Sequence, residues 1–149
     1  MYGLYPNYPV KLPIEVEPVM SLKAVVSQVK KLNKGDSVSY GRTYRADCDG
    51  VIAATVTVGY ADGYSRLLSG KADVLVKGKR CPIIGRVCMD QLVLDVSDAG
   101  DVKEGDIVTL IGKDGNEEIT ADELASLYGT IGYEVVCGIS KRVPRIYVK

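Results

Sequence analysis

Histidine is absent from this chain, which removes the side chain that most often works as a general base near neutral pH and the commonest metal ligand. Any catalysis has to use something else. Ten tyrosines, with no phenylalanine or tryptophan, give every aromatic position a hydroxyl that needs a partner when buried. Tyr40, in Val38-Ser-Tyr-Gly-Arg42, closes a strand-like run and is followed at once by a glycine and an arginine. A phenol titrates near pH 10, so a tyrosine acts as a base at neutral pH only where a cation favours the phenolate. Arg42 is the candidate cation nearest in sequence. On these residues alone, a half-buried tyrosine before a turn outranks a catalytic one.

The run Val87-Cys-Met-Asp-Gln-Leu-Val-Leu-Asp-Val96 carries a second signal. Extending the Leu92, Leu94, Val96 face backwards by twos puts Asp90 and Cys88 on the apolar side, where a carboxylate needs partners or a pocket. A β-bulge near Met89 resolves the conflict equally well. Tyr133 follows a helix signal through a glycine and could offer its hydroxyl to an anion such as phosphate, although a core tyrosine is the ordinary alternative. Arg66 and Arg86 could line an entrance for carboxylate substrates, because a guanidinium matches carboxylate geometry; most arginines are solvated surface residues.

The elements that must hold these residues are short strands. Met20 to Leu32 is valine-rich and alternates, Val51 to Gly59 is β-branched, and further strands are expected at Ala72 to Val76, Arg80 to Ile84, Val87 to Val96, Ile107 to Ile111 and Arg142 to Val148. Turns such as Lys34-Gly-Asp36, Ala61-Asp-Gly63 and Glu104-Gly-Asp106 separate them. One helix is expected, with Thr120 and Glu123 as a capping box, Leu124 and Leu127 as its apolar stripe and Gly129 as its stop. The pattern describes a mainly β chain, a small β-barrel-like domain with one short helix plugging an end. Residues 1 to 18 hold four of the six prolines and read as an extended lead-in from a preceding domain, with the β-domain over 19 to 149.

A chain of 149 residues is the size of one domain and can bury roughly two-thirds of the surface its unfolded form exposes. Nineteen basic and nineteen acidic residues cancel, which argues against nucleic acid or anionic lipid as a partner. No apolar run approaches the ~20 residues of a spanning helix. The cysteines, Cys48, Cys81, Cys88 and Cys137, fit neither a zinc site nor a disulfide framework, which suggests a reducing cytoplasm.

Seven segments, in order, are similar to the carboxy-terminal half of bacterial PLP-dependent alanine racemases: Tyr2-Gly-Leu-Tyr-Pro6, Met20-Ser-Leu-Lys-Ala24, Val38-Ser-Tyr-Gly41, Val58-Gly-Tyr-Ala-Asp-Gly63, Gly85-Arg-Val-Cys-Met-Asp-Gln91, Tyr133-Glu-Val-Val-Cys137 and Arg142-Val-Pro-Arg145. The resemblance implies a domain of an isomerase that interconverts L- and D-alanine for peptidoglycan precursors, with Tyr40 as the L-face base. It further implies that Met89 offers its backbone N–H to the substrate carboxylate, that Asp90 and Cys88 flank and support that segment, and that Tyr60 lies close by. By the same resemblance Tyr133 hydrogen-bonds the phosphate of pyridoxal 5′-phosphate, and Arg66, Arg86 and Ile131 line the entryway.

Two bases are needed because protons move on opposite faces of the cofactor-bound substrate. In the family, a lysine of an amino-terminal barrel domain serves the D face, and the tyrosine reaches it from the partner subunit of a homodimer. Nothing in this chain resembles that barrel or its lysine anchor, so the resemblance implies an isolated domain without activity. A serine or broad-specificity racemase domain is the nearest alternative, and Tyr133 at the gate favours alanine on pocket size. A non-catalytic β-barrel that binds a partner protein is the alternative from a different class.

Overall fold

The computed structural model describes residues 3–5 and 15–148, so most of the lead-in expected over residues 1–18 lies outside the described residues. Within it, Leu4 is buried in the main core, and residues 15–21 carry no regular structure. The organising element is β1 (Leu22–Leu32). Its first half pairs antiparallel with β8 (Ile107–Asp114) and its second half with β4 (Val51–Val56), with register shifts at Leu22/Lys23 and between Val26 and Gln28. Such irregularities add bend and twist to a strand, and β1 passes from one neighbour to the other as it curves.

The remaining strands extend this curl on both sides. β5 (Asp73–Val76) joins β8 and carries β6 (Lys79–Pro82), while β7 (Leu92–Asp95) joins β4, giving the order β6-β5-β8-β1-β4-β7. The two edges meet again. Ile83, just past β6, bridges Leu94 of β7, and the Ile84 N–H donates to the Val93 carbonyl at 2.9 Å. The expected barrel-like sheet is therefore present, joined at its seam by a single bridge. Its interior is filled by Val26, Val56, Val74, Val76, Leu92, Leu94, Val108 and Leu110, all nearly inaccessible to water, as strict alternation requires.

The capped helix is α1 (Ala121–Tyr128), with Thr120 accepting from the Glu123 N–H and Gly129 left-handed at its end. Glu123 does not turn back to Thr120. Its carboxylate takes two bonds from Arg80, whose guanidinium also binds Glu117 and the Glu118 carbonyl, clamping α1 and β9 (Glu117–Ile119) onto β6. Leu124 and Ala125 enter the main core from α1.

Three expectations change. A second helix, α2 (Gly132–Gly138), packs beside α1; two glycines and two β-branched valines hide it from propensity, and burial of Val135 and Ile139 holds it. The final strand is not formed: Arg145 donates to the carbonyls of Ile139, Ser140 and Val143, curling the chain so that Ile146, Tyr147 and Val148 stay exposed. The expected Val87 to Val96 strand begins only at Leu92, because Cys88 and Met89 give their carbonyls to another loop.

Tyr64 is 2% exposed, and its hydroxyl has no hydrogen-bond partner among the described residues. Burial, helped by the charges of Asp73 and Glu123, pushes its phenol far above the ordinary value. Tyr64→Phe removes an unpaired polar group, so denaturant unfolding at pH 7 should show unchanged or higher stability, by up to about 2 kcal/mol. A phenol with a raised folded-state pKa stabilises the fold below its unfolded value near pH 10 and loses that contribution above it. The wild type should therefore weaken on raising the pH above about 10 more steeply than Tyr64→Phe; a variant clearly weaker at pH 7 would show that the hydroxyl is paired.

Candidate functional site

Tyr40 sits on the turn of a small hairpin, β2 (Ser37–Val38) and β3 (Tyr44–Arg45). Val38 and Tyr44 pack the hairpin onto a second apolar cluster of Leu32, Ala46, Val51, Ala53 and Ile84, distinct from the barrel interior. Anchored there, the turn stands out into solvent with Tyr40 74% exposed. The turn is locally strained, since Ser39 (φ 64°) and Arg42 (φ 48°) join Gly41 (φ 77°) in the left-handed region, which costs about 1–3 kcal/mol per non-glycine residue and persists only where surroundings enforce it.

The enforcing contact is the Ser39 side chain. Its Oγ donates to the Arg86 carbonyl at 2.5 Å and accepts from the Arg86 N–H at 3.1 Å, with Cys88 Sγ 3.3 Å away. Gly85 (φ 73°) permits this approach, for a Cβ there would stand 2.8 Å from that of Ser39. On the other side Ser69 donates to the Arg66 carbonyl at 2.5 Å and accepts from the Val87 N–H at 3.0 Å. Two serines thus fasten the Arg86-Val87 backbone to the turns bearing Tyr40 and Arg66. The Arg86 guanidinium packs against the Tyr40 turn, for a Cβ at Gly41 would lie 3.6 Å from its Nε.

Cys88 and Met89 are gripped from a third loop. The N–H groups of Tyr60 and Ala61 donate to their carbonyls, each at 3.0 Å, and Gly59 allows the contact because any side chain there would overlap both oxygens. Asp62 stabilises this loop by accepting the Gly59 N–H at 2.9 Å. Among the described residues the Met89 N–H has no acceptor, and its side chain is 52% exposed. Cys88 is buried, as alternation suggested, but Asp90 is exposed and pairs with Arg142 at 2.6 Å. Asp90 on the apolar face is the expectation that fails, since the strand pattern it extended does not reach back past Leu92.

The sequence candidates therefore fall into two groups. Tyr40, Arg86, Cys88, Met89, Asp90, Tyr60 and Arg66 lie on loops joined by the bonds above. Tyr133 and Ile131 are on and before α2; Tyr133 is part-buried with its hydroxyl donating to the Leu4 carbonyl at 3.1 Å, and Ile131 is exposed. Ser39, Ser69, Asp62 and Arg142 had no role from sequence. Only Asp62 left a signal, an acceptor three residues after Gly59 at the start of a turn.

Residues 19–147 match the model of the alanine racemase C-terminal domain. The chain belongs to that family. Over its full length it is 50% identical to an alanine racemase of Clostridium novyi and 48% identical to alanine racemase 1 of Clostridium acetobutylicum, and it spans 39% of the length of each. Among solved structures, 99% of the chain superposes on 38% of the Bacillus anthracis alanine racemase with bound L-Ala-P (TM-score 0.93, 47% identity). The alanine racemase from E. faecalis superposes with a TM-score of 0.92 at 44% identity over the same share of this chain. The chain thus spans about two-fifths of the length of these relatives.

The Ser39 clamp makes a measurable claim. Ser39→Ala leaves the Arg86 N–H and carbonyl without that partner and should lower stability by about 1–3 kcal/mol in denaturant unfolding. Backbone amide exchange should rise over residues 39–43 and 86–88 while β1 and β8 keep their protection; unchanged exchange in the turn would mean that the hydroxyl does not hold it.

Proposed function

We propose that this domain supplies the L-face base and the carboxylate-binding backbone of a PLP-dependent alanine racemase, a cytoplasmic homodimer in which it faces the barrel domain of the partner subunit. The observation that carries this reading is the Ser39 clamp, which joins an exposed tyrosine to the loop bearing Met89, whose N–H has no acceptor among the described residues. Family membership supplies the reaction class, and the relatives named above are racemases of alanine.

Each residue has a task that its geometry suits. Tyr40, unburied by its own domain, takes the α-proton on one face of the substrate and returns it in the reverse direction. Arg86, packed against the Tyr40 turn, holds a guanidinium at the edge of the site, a group whose fork matches a carboxylate. The Met89 N–H points a donor at the substrate carboxylate, a charge-assisted bond. Tyr60, Arg66 and Ile131, all exposed, border the way in. A rim this open in its own domain suits a site completed by a second one.

Pyridoxal 5′-phosphate fits the donors this chain offers. Tyr133 is a part-buried phenol whose proton goes to the Leu4 carbonyl, and rotation about its C–O bond redirects that proton to a phosphate oxygen without moving the ring. Bound, the cofactor draws electrons from the substrate α-carbon and makes its proton removable.

Two measurements test the reading. The chain by itself, mixed with pyridoxal 5′-phosphate and L-alanine, should form no D-alanine; turnover that scales with its concentration contradicts a divided site. In the full-length protein Tyr40→Phe should lower kcat/KM about 10²–10⁴-fold in both directions with the cofactor still bound, and racemisation close to the wild-type rate would remove Tyr40 from the mechanism.

A further inference from the structure

The Arg142 guanidinium stands where three separate loops meet. Its Nε lies 2.9 Å from Asp62 Oδ1 and its Nη2 2.6 Å from Asp90 Oδ1. The Asp62 side chain is 13% exposed and its other oxygen already accepts the Gly59 N–H, so it is a fixed partner. Asp62 also receives the Ser140 N–H on its carbonyl at 2.9 Å, which ties the segment before Arg142 to the same loop. Asp90 follows Met89 directly in the chain.

From this we infer that Arg142 is a positioning residue for substrate-carboxylate binding, a two-pronged clamp that locks the Met89 loop to the Gly59–Gly63 turn through Asp90 and Asp62. The inference rests on the reading of Met89 given above and goes beyond it by naming what fixes the Met89 N–H. An ordinary exposed ion pair contributes little. Here the same guanidinium edge serves two carboxylates on different loops, and those loops are already joined by the Tyr60 and Ala61 bonds to Cys88 and Met89. The clamp thus closes a ring of contacts, from Asp62 through Ala61, Met89 and Asp90 back to Arg142. Lysine offers one compact charge and cannot reproduce a planar fork, so the geometry and not the charge is what the position requires.

The test uses Arg142→Lys, Asp90→Asn and the double variant. In this 149-residue chain, each should raise amide exchange over residues 88–91 with the barrel strands unchanged. In the full-length protein each should raise KM for alanine about tenfold while kcat stays within about threefold, and the double variant should match the single ones rather than multiply them. Unchanged exchange over 88–91, or full activity in Arg142→Lys, overturns the clamp. A lower KM in Asp90→Asn also overturns it, because a freed Arg142 would then be attracting the substrate itself. Faster exchange with KM unmoved separates the loop from carboxylate binding and defeats the inference. The racemase reading fails separately, by Tyr40→Phe racemising normally.

Discussion

The Ser39 hydroxyl is bonded to both backbone groups of Arg86, and the candidate site depends on that pair of bonds. Without them the hairpin turn has two non-glycine residues in left-handed conformation and no reason to keep them. With them, an exposed tyrosine is set at a fixed place beside the Cys88-Met89 loop although 49 residues separate Tyr40 from Met89 in sequence. The strain in the turn is offset by a second, outer apolar cluster under the hairpin, so the candidate chemistry is placed outside the main core.

The sheet exists to hold the loops at one another's distance. β1 shares its length between β8 and β4, the curl brings β6 and β7 together at Ile83–Leu94, and the one loop that joins those two strands bears both Arg86 and Met89. A rigid scaffold with functional groups on loops is the usual division of labour. Helices α1 and α2 cover the other part of the core, and Tyr133 is carried on the second of them.

Much of this was legible in the sequence, for reasons that differ by element. Alternation located β1, β4, β5 and β8, and the Thr120/Gly129 pair fixed α1 closely, because both signals are local. α2 was invisible, since Gly132, Val135 and Val136 are poor helix formers held by packing alone. The Val87 to Val96 reading failed at its start because carbonyls of Cys88 and Met89 bond to Tyr60 and Ala61, a partnership 28 residues distant that no local pattern encodes. Resemblance nominated Tyr40, Met89 and Tyr133, while Ser39, Ser69 and Arg142 act through contacts between residues far apart in sequence, Arg142 with Asp62 and Asp90 among them, and emerge only from the fold.

The central claim is that Tyr40 serves one face of the substrate and another base serves the other. The most direct measurement is α-proton exchange in deuterated water by the full-length Tyr40→Phe protein, read by NMR on each alanine enantiomer separately. The account predicts that D-alanine still exchanges while exchange of L-alanine is largely lost. Equal loss of both with the cofactor bound, or equal retention of both, would contradict it.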